Sequence, residues 1–136
     1  MLRNQLTFVL KKKESILCEN LVENIMKRIE AFIQSDKQQE VVDALSKLKI
    51  GGMTVIQSLG RGAGERPKIG GEKGDAIPYN AIDIIVTYVD DSKVDDVMTA
   101  ISSAAHTGTK GDGKVFVSTV DDGMDICTKE KGTKSL

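Results

Sequence analysis

Between residues 26 and 120 the apolar residues change their spacing in a fixed order, and that order restricts the chain to few architectures. Arg28 to Gln34 places Ile29, Ala31 and Ile33 at alternate positions, the period of a half-buried strand. Ser35, with Gln38 after it, has the spacing of a capping box, and Val41, Val42, Leu45 and Leu48 then follow at helical intervals before Gly51-Gly52. Met53 to Leu59 reads as a second strand. Ala81 to Val89 is a third and the strongest, with Ile82, Ile84, Val86 and Tyr88 alternating against Asp83 and Thr87. Ser92 is placed to cap a second helix, whose stripe is Val94, Val97, Met98, Ile101 and Ala105. Lys114 to Val120 closes the series as a fourth strand.

Strand, helix, strand, strand, helix, strand is the order of an α+β, ferredoxin-like βαββαβ sandwich, with two helices covering one face of an antiparallel sheet. The uncovered face would still carry Phe32, Ile85 and Phe116. A bare apolar face seeks a partner, so the chain is expected to oligomerise. Its 136 residues fit one domain. With 19 basic residues against 20 acidic, it lacks the basic surplus of a general nucleic-acid binder. No apolar run approaches the roughly 20 residues of a membrane span, so no membrane insertion is expected. With few cysteines, a reducing, cytoplasmic setting is the default. Residues 1–25 read apart from the rest, with Lys11-Lys12-Lys13 following a mildly apolar stretch instead of preceding it as in a signal peptide. Ile16, Leu17, Leu21, Val22 and Ile25 have the spacing of an amphipathic helix. Either Met26 is the true start, or residues 1–25 are an added helix that packs on a neighbouring surface. Residues 129–136 read as a tail.

Two loops stand out. Gly60 to Asn80 separates the second and third strands by about twenty residues. A tight hairpin would use about two to five, and a long polar loop in a compact domain is usually functional or disordered. The other loop is Thr107-Gly108-Thr109-Lys110-Gly111-Asp112-Gly113-Lys114. Its glycines let backbone N–H groups converge on an anion, and Lys114 adds a point charge suited to a phosphate. A Walker A loop precedes a helix, whereas here a helix precedes the loop and a strand follows it. Gly60-Arg61-Gly62-Ala63-Gly64 has the outline of a dinucleotide fingerprint, but no helical pattern follows. One histidine, His106, and two distant cysteines, Cys18 and Cys127, make no metal set. Asp121, Asp122 and Asp125 read as solvated carboxylates. His106, at a helix end, reads as a capping or solvent-facing group. No catalytic residue is assigned and the chain is not expected to be an enzyme; a small phosphohydrolase using Asp112 or His106 as base is the weaker alternative.

The run Thr107-Gly108 to Gly111-Asp112-Gly113-Lys114-Val115-Phe116-Val117, the segment Gly52-Met53-Thr54-Val55 ahead of a long loop, and the strand order together resemble the PII signal-transduction proteins. The resemblance covers Met26 to Thr128. It implies a homotrimer that binds an adenine nucleotide, ADP, AMP or ATP, in clefts between subunits. The family's phosphate-holding B-loop maps onto Gly111, Asp112, Gly113 and Lys114. The second-strand residue that meets adenine maps onto Thr54, and the glycine at the root of the T-loop onto Gly62. A target protein, a transporter or a metabolic enzyme, would be controlled through the T-loop, here the stretch 60–80.

The chain also departs from the family pattern. Two C-loop arginines that clamp the phosphates fall at Asp125 and Cys127, a loss of two charge-assisted contacts of about 1.5–3 kcal/mol each. The T-loop glutamine that holds Mg²⁺ and 2-oxoglutarate falls at Gly64, and the lysine that pairs with the 2-oxoglutarate carboxylate falls near Tyr79. Gly60 to Pro78 contains no Tyr, Ser or Thr to accept a nucleotidyl or phosphoryl group. Arg61, Arg66, Lys68 and Lys73 either meet an anionic ligand or acidic partner, or keep the loop soluble. The expected function is a PII-like regulator without typical 2-oxoglutarate sensing. The alternatives are a sensor of another small anion (AMP, a cyclic nucleotide or bicarbonate) and a trimer that has lost sensing.

Overall fold

The computed structural model describes residues 25–63 and 78–136, so the N-terminal helix expected from the sequence, Gly64 and most of the long loop lie outside the described residues. Strand β1 spans Met26–Gln34, helix α1 Gln38–Ser46, β2 Thr54–Gly60, β3 Asn80–Asp90, α2 Val94–Ala105 and β4 Gly113–Val120. A 3₁₀ turn leads into each helix, at Ser35–Lys37 and Asp91–Lys93, and another lies at Gly132–Ser135. The strands form one sheet in the order β2-β3-β1-β4, with every neighbouring pair antiparallel. This is the expected βαββαβ sandwich.

The core lies between the helices and one sheet face. It is built from Ile29, Ala31 and Ile33 of β1, Ile85 and Val89 of β3, Val41 and Leu45 of α1, and Val97, Ile101 and Ala105 of α2. The faces of β3 are the reverse of those expected. The register aligns Ala31 with Ile85 and Phe32 with Ile84, so Ile85 is core, 1% exposed, and does not belong to the bare face. Asp83 and Thr87 are buried with it, while Ile84 and Tyr88 share the uncovered side with Phe32 and Phe116. The period of two fixes which residues share a face but not which face turns inward. The two polar residues are tolerated inside because each has a partner: Ser35 Oγ donates to Asp83 Oδ1 at 3.0 Å, and Thr87 Oγ1 donates to the Gly52 carbonyl at 2.6 Å. On the uncovered side, Phe32 and Phe116 meet edge to face with centroids 6.0 Å apart.

The helix starts also differ from the sequence reading. Ser35 forms no capping box, because its hydroxyl goes to Asp83, and α1 begins without a side-chain cap. The second helix likewise begins without a side-chain cap; Ser92 does not cap it, and Asp90 caps the 3₁₀ turn that leads into it. Asp90 Oδ1 accepts the Ser92 N–H at 2.9 Å, and hydrogen bonds from the Ser92 side chain and backbone hold its carboxyl below the usual range. Beyond β4 the chain turns back on itself. Met124 bridges Lys131, the Asp125 N–H donates to Glu130 O at 2.9 Å, and the Lys129 N–H donates to Asp125 O at 2.9 Å. The Gly132 N–H donates to Gly123 O at 3.0 Å, and the Leu136 carbonyl carbon lies 3.0 Å from where a Cβ on Gly51 would sit. Residues 129–136 thus lie against the domain.

Candidate functional site

The strand order brings both loops to one end of the sheet. Gln34, at the end of β1, is opposite Ile82, and Ile33 is opposite both Asp83 and Gly113. β2 finishes in the same region, with Gly60 opposite Asn80. The Gly-rich loop that enters β4 and the long loop that joins β2 to β3 therefore emerge on either side of the β1 terminus.

The Gly-rich loop is shaped by its own aspartate. Asp112 Oδ2 accepts the N–H of Thr107 at 2.8 Å and that of Gly108 at 3.0 Å, while Oδ1 accepts the Thr107 hydroxyl. His106 Nδ1 lies 3.5 Å from Asp112 Oδ2. The Thr107 side chain first, then these backbone N–H groups and His106, hold the Asp112 carboxyl below the ordinary aspartate range. Gly108, Gly111 and Gly113 take φ of 84°, 98° and 119°, a region that disfavours other residues. At Gly113 the constraint is also steric, because a Cβ there would lie 1.8 Å from the Phe32 carbonyl oxygen. Gln34 Nε2 donates to the Gly111 carbonyl and so ties the loop to β1.

A cleft of about 410 Å³ opens beside the loop, walled by Phe32, Gly113 and Lys114 on the sheet and by Met98, Ile101 and Ser102 on α2. Lys114 is exposed and in register with Phe32. A rigid glycine turn, an exposed ammonium and apolar walls suit an anion that carries an apolar or aromatic body. Among the described residues, no group of His, Cys, Asp and Glu side chains could hold a metal ion.

The six residues singled out from the sequence do not converge within one chain. Gly111, Asp112, Gly113 and Lys114 sit together at the β4 edge. Thr54 opens β2 on the opposite edge, in register with Val86, and Gly62 lies just past the end of that strand. Three strand intervals, about 14 Å, separate the two edges. A site that used all six would take one edge from each of two copies.

The C-loop positions are also accounted for. The Asp125 carboxylate accepts the Thr128 N–H at 2.8 Å, and that bond chiefly holds its carboxyl below the usual range. The carboxylate therefore builds a turn, with Cys127 exposed and Ile126 81% exposed beside it. Tyr79 stands half-exposed at the foot of β3. Sequence reasoning missed Gln34 and Thr107, since a polar strand end and a loop threonine carry no distinguishing pattern. The available signal was weak: a lone carboxylate in a Gly-rich loop needs donors of its own.

With this geometry in place, the comparisons are specific. The chain belongs to the nitrogen regulatory protein P-II family, whose model matches residues 26–130. It is 37% identical over 120 residues to the nitrogen regulatory protein P-II of Azospirillum brasilense, covering 82% of this chain and 100% of that one. It is 36% identical over 107 residues to the nifHD region GlnB-like protein 1 of Methanothermococcus thermolithotrophicus, covering 79% and 99%. Its fold matches B. subtilis GlnK, solved in complex with ATP, at a TM-score of 0.68 and 23% identity over 84% of this chain and 98% of that one. The chain is a signal-transduction regulator of this family and not an enzyme. No helix among the described residues is long and apolar enough to cross a membrane.

Proposed function

We propose that the protein is a cytoplasmic PII regulator that binds an adenine nucleotide between the copies of a homotrimer and controls a target protein, a transporter or a metabolic enzyme, through the loop at residues 60–80. The observation that carries this reading is the B-loop, which is already shaped by Asp112 and three positive-φ glycines beside an exposed Lys114. In this reading Gly111, Gly113 and Lys114 meet the phosphates, Asp112 holds the loop in form, and Thr54 and Gly62 complete the cleft from a neighbouring copy. The division of these residues between opposite sheet edges supports a site shared by two copies. ATP in the B. subtilis GlnK structure of the same fold agrees with this ligand chemistry.

The C-loop argues for fewer phosphates. Asp125 spends its carboxylate on the turn, and Cys127 offers no cation where the family places one. AMP, ADP or a cyclic nucleotide needs less clamping charge than ATP, and bicarbonate is the simplest alternative anion. Isothermal titration against ATP, ADP, AMP, cyclic nucleotides and bicarbonate, each with and without Mg²⁺ and 2-oxoglutarate, tests the reading. ADP or AMP should bind, Lys114→Ala should weaken binding about tenfold or more, and 2-oxoglutarate should leave affinity unchanged. Tight Mg-ATP binding strengthened by 2-oxoglutarate would refute the loss of that sensing. No binding by any of these ligands would leave a trimer without sensing.

A further inference from the structure

Gln34 and Ser35 stand where β1 passes into the turn before α1, with the B-loop on one side and the start of β3 on the other. Their side chains reach in different directions. Gln34 Nε2 donates to the Gly111 carbonyl of the B-loop. Ser35 Oγ donates at 3.0 Å to Asp83 Oδ1, near the start of the strand that leaves the long loop. Asp83 is 2% exposed, so water does not readily replace Ser35 as its donor. The adjoining backbone has little freedom, because Gly113 packs directly against the Phe32 carbonyl. The direction of the Gly111 carbonyl matters for the loop. Across a planar trans peptide the following N–H points the opposite way, so holding that carbonyl toward β1 turns the Asp112 N–H away from it.

We infer that Gln34 and Ser35 are positioning residues of the nucleotide site. Asp83 fixes Ser35, Ser35 fixes the course of the chain beside it, and Gln34 then orients the Gly111–Asp112 peptide. The B-loop is thereby linked to the root of the long loop through a dipeptide that acts on the loop and not on the ligand. The inference rests on the proposed nucleotide site for its consequence in binding, while its structural half is testable without any ligand.

Amide hydrogen exchange over residues 107–113 of the nucleotide-free protein tests the structural half. Gln34→Glu keeps the side-chain size and loses the N–H donor, whereas Gln34→Lys restores a donor. Exchange should speed up about three- to tenfold in Gln34→Glu and Gln34→Ala, the scale of one hydrogen bond, and return toward wild type in Gln34→Lys. Asp83→Ala, which removes the acceptor, and Ser35→Ala, which removes the donor, should speed exchange at the same residues, and Ser35→Thr, which keeps the hydroxyl, should not. The affinities of Gln34→Ala for ADP and AMP should fall by a similar factor with the melting temperature nearly unchanged. Unaltered B-loop exchange in both Gln34→Glu and Ser35→Ala overturns the inference. So does faster exchange in Gln34→Ala with unchanged nucleotide affinity, which would make Gln34 structural alone. A wild type that binds no nucleotide sinks the proposed function and leaves the exchange pattern to decide the B-loop link by itself.

Discussion

Asp112 shows how one side chain can shape a loop from within, its carboxylate taken up by the loop's own donors. Its two oxygens are bonded to Thr107 and Gly108, so removing them should disorder the loop. Asp112→Ala is expected to weaken nucleotide binding about tenfold, with Asp112→Asn between it and wild type, as read by titration calorimetry. Because the folded carboxyl titrates below the ordinary aspartate value of about 3.9, its contribution is complete above that pH and is lost as pH falls through the lower, folded value. In a His106→Gln background, which removes the imidazole 3.5 Å from Asp112 Oδ2, the amide resonances of Thr107 and Gly108 should therefore hold still from neutral pH down to about pH 5 and move only in stronger acid. Asp112→Asn should abolish that movement. The glycines make a second contrast. Gly113→Ala must fit a Cβ 1.8 Å from the Phe32 oxygen at φ 119°, and should cost about 2–4 kcal/mol in urea unfolding or prevent folding. Gly62→Ala meets nothing within 4 Å and should leave stability unchanged. The glycines were legible in the sequence because few other residues take their backbone form. The role of Asp112 was not, because a carboxylate that satisfies backbone donors and one that faces solvent are the same letter.

At the scale of elements, the order of strands and helices could be read from spacing alone, whereas the orientation of β3 could not. Ile82, Ile84, Val86 and Tyr88 form its more apolar row, yet the row with Asp83 and Thr87 is the one turned inward. The cost of burying polar groups was offset by partners distant in sequence, Ser35 and Gly52, which no local pattern reveals. The expected helix caps are absent for a related reason: the Ser35 hydroxyl bonds to Asp83 on the neighbouring strand, and at the second helix Asp90 caps the preceding 3₁₀ turn through the Ser92 N–H. Asp90→Ala is expected to cost about 1 kcal/mol of stability in denaturant unfolding. The C-loop turn yields a sharper contrast. Cys127→Arg adds a cation at an exposed position and should raise ATP affinity about tenfold or more. Asp125→Arg changes the local charge by two units but removes the acceptor of the Thr128 N–H, and should gain less than that charge change alone would give.

For the whole molecule, the decisive fact is that the B-loop and Thr54 lie on opposite edges of one sheet. If neighbouring copies share each cleft, two defective proteins should repair one another. Lys114→Ala damages one edge and Thr54→Asp the other, so mixed assemblies would contain some clefts with both edges intact. Co-refolding the two variants should recover part of the nucleotide binding that each alone has lost, and equilibrium dialysis would measure it; no recovery would argue for a site within one chain. The sequence indicated a bare apolar face, and the structure assigns it to Phe32, Ile84, Tyr88 and Phe116. That face has a spectroscopic consequence. The chain has no tryptophan and two tyrosines, of which Tyr88 lies on the bare face and Tyr79 at the root of the long loop. Its ultraviolet emission therefore comes from two phenols in different places. A Tyr79→Phe variant emits from the sheet alone and Tyr88→Phe from the loop root alone, so association and loop rearrangement can be followed separately without an added dye.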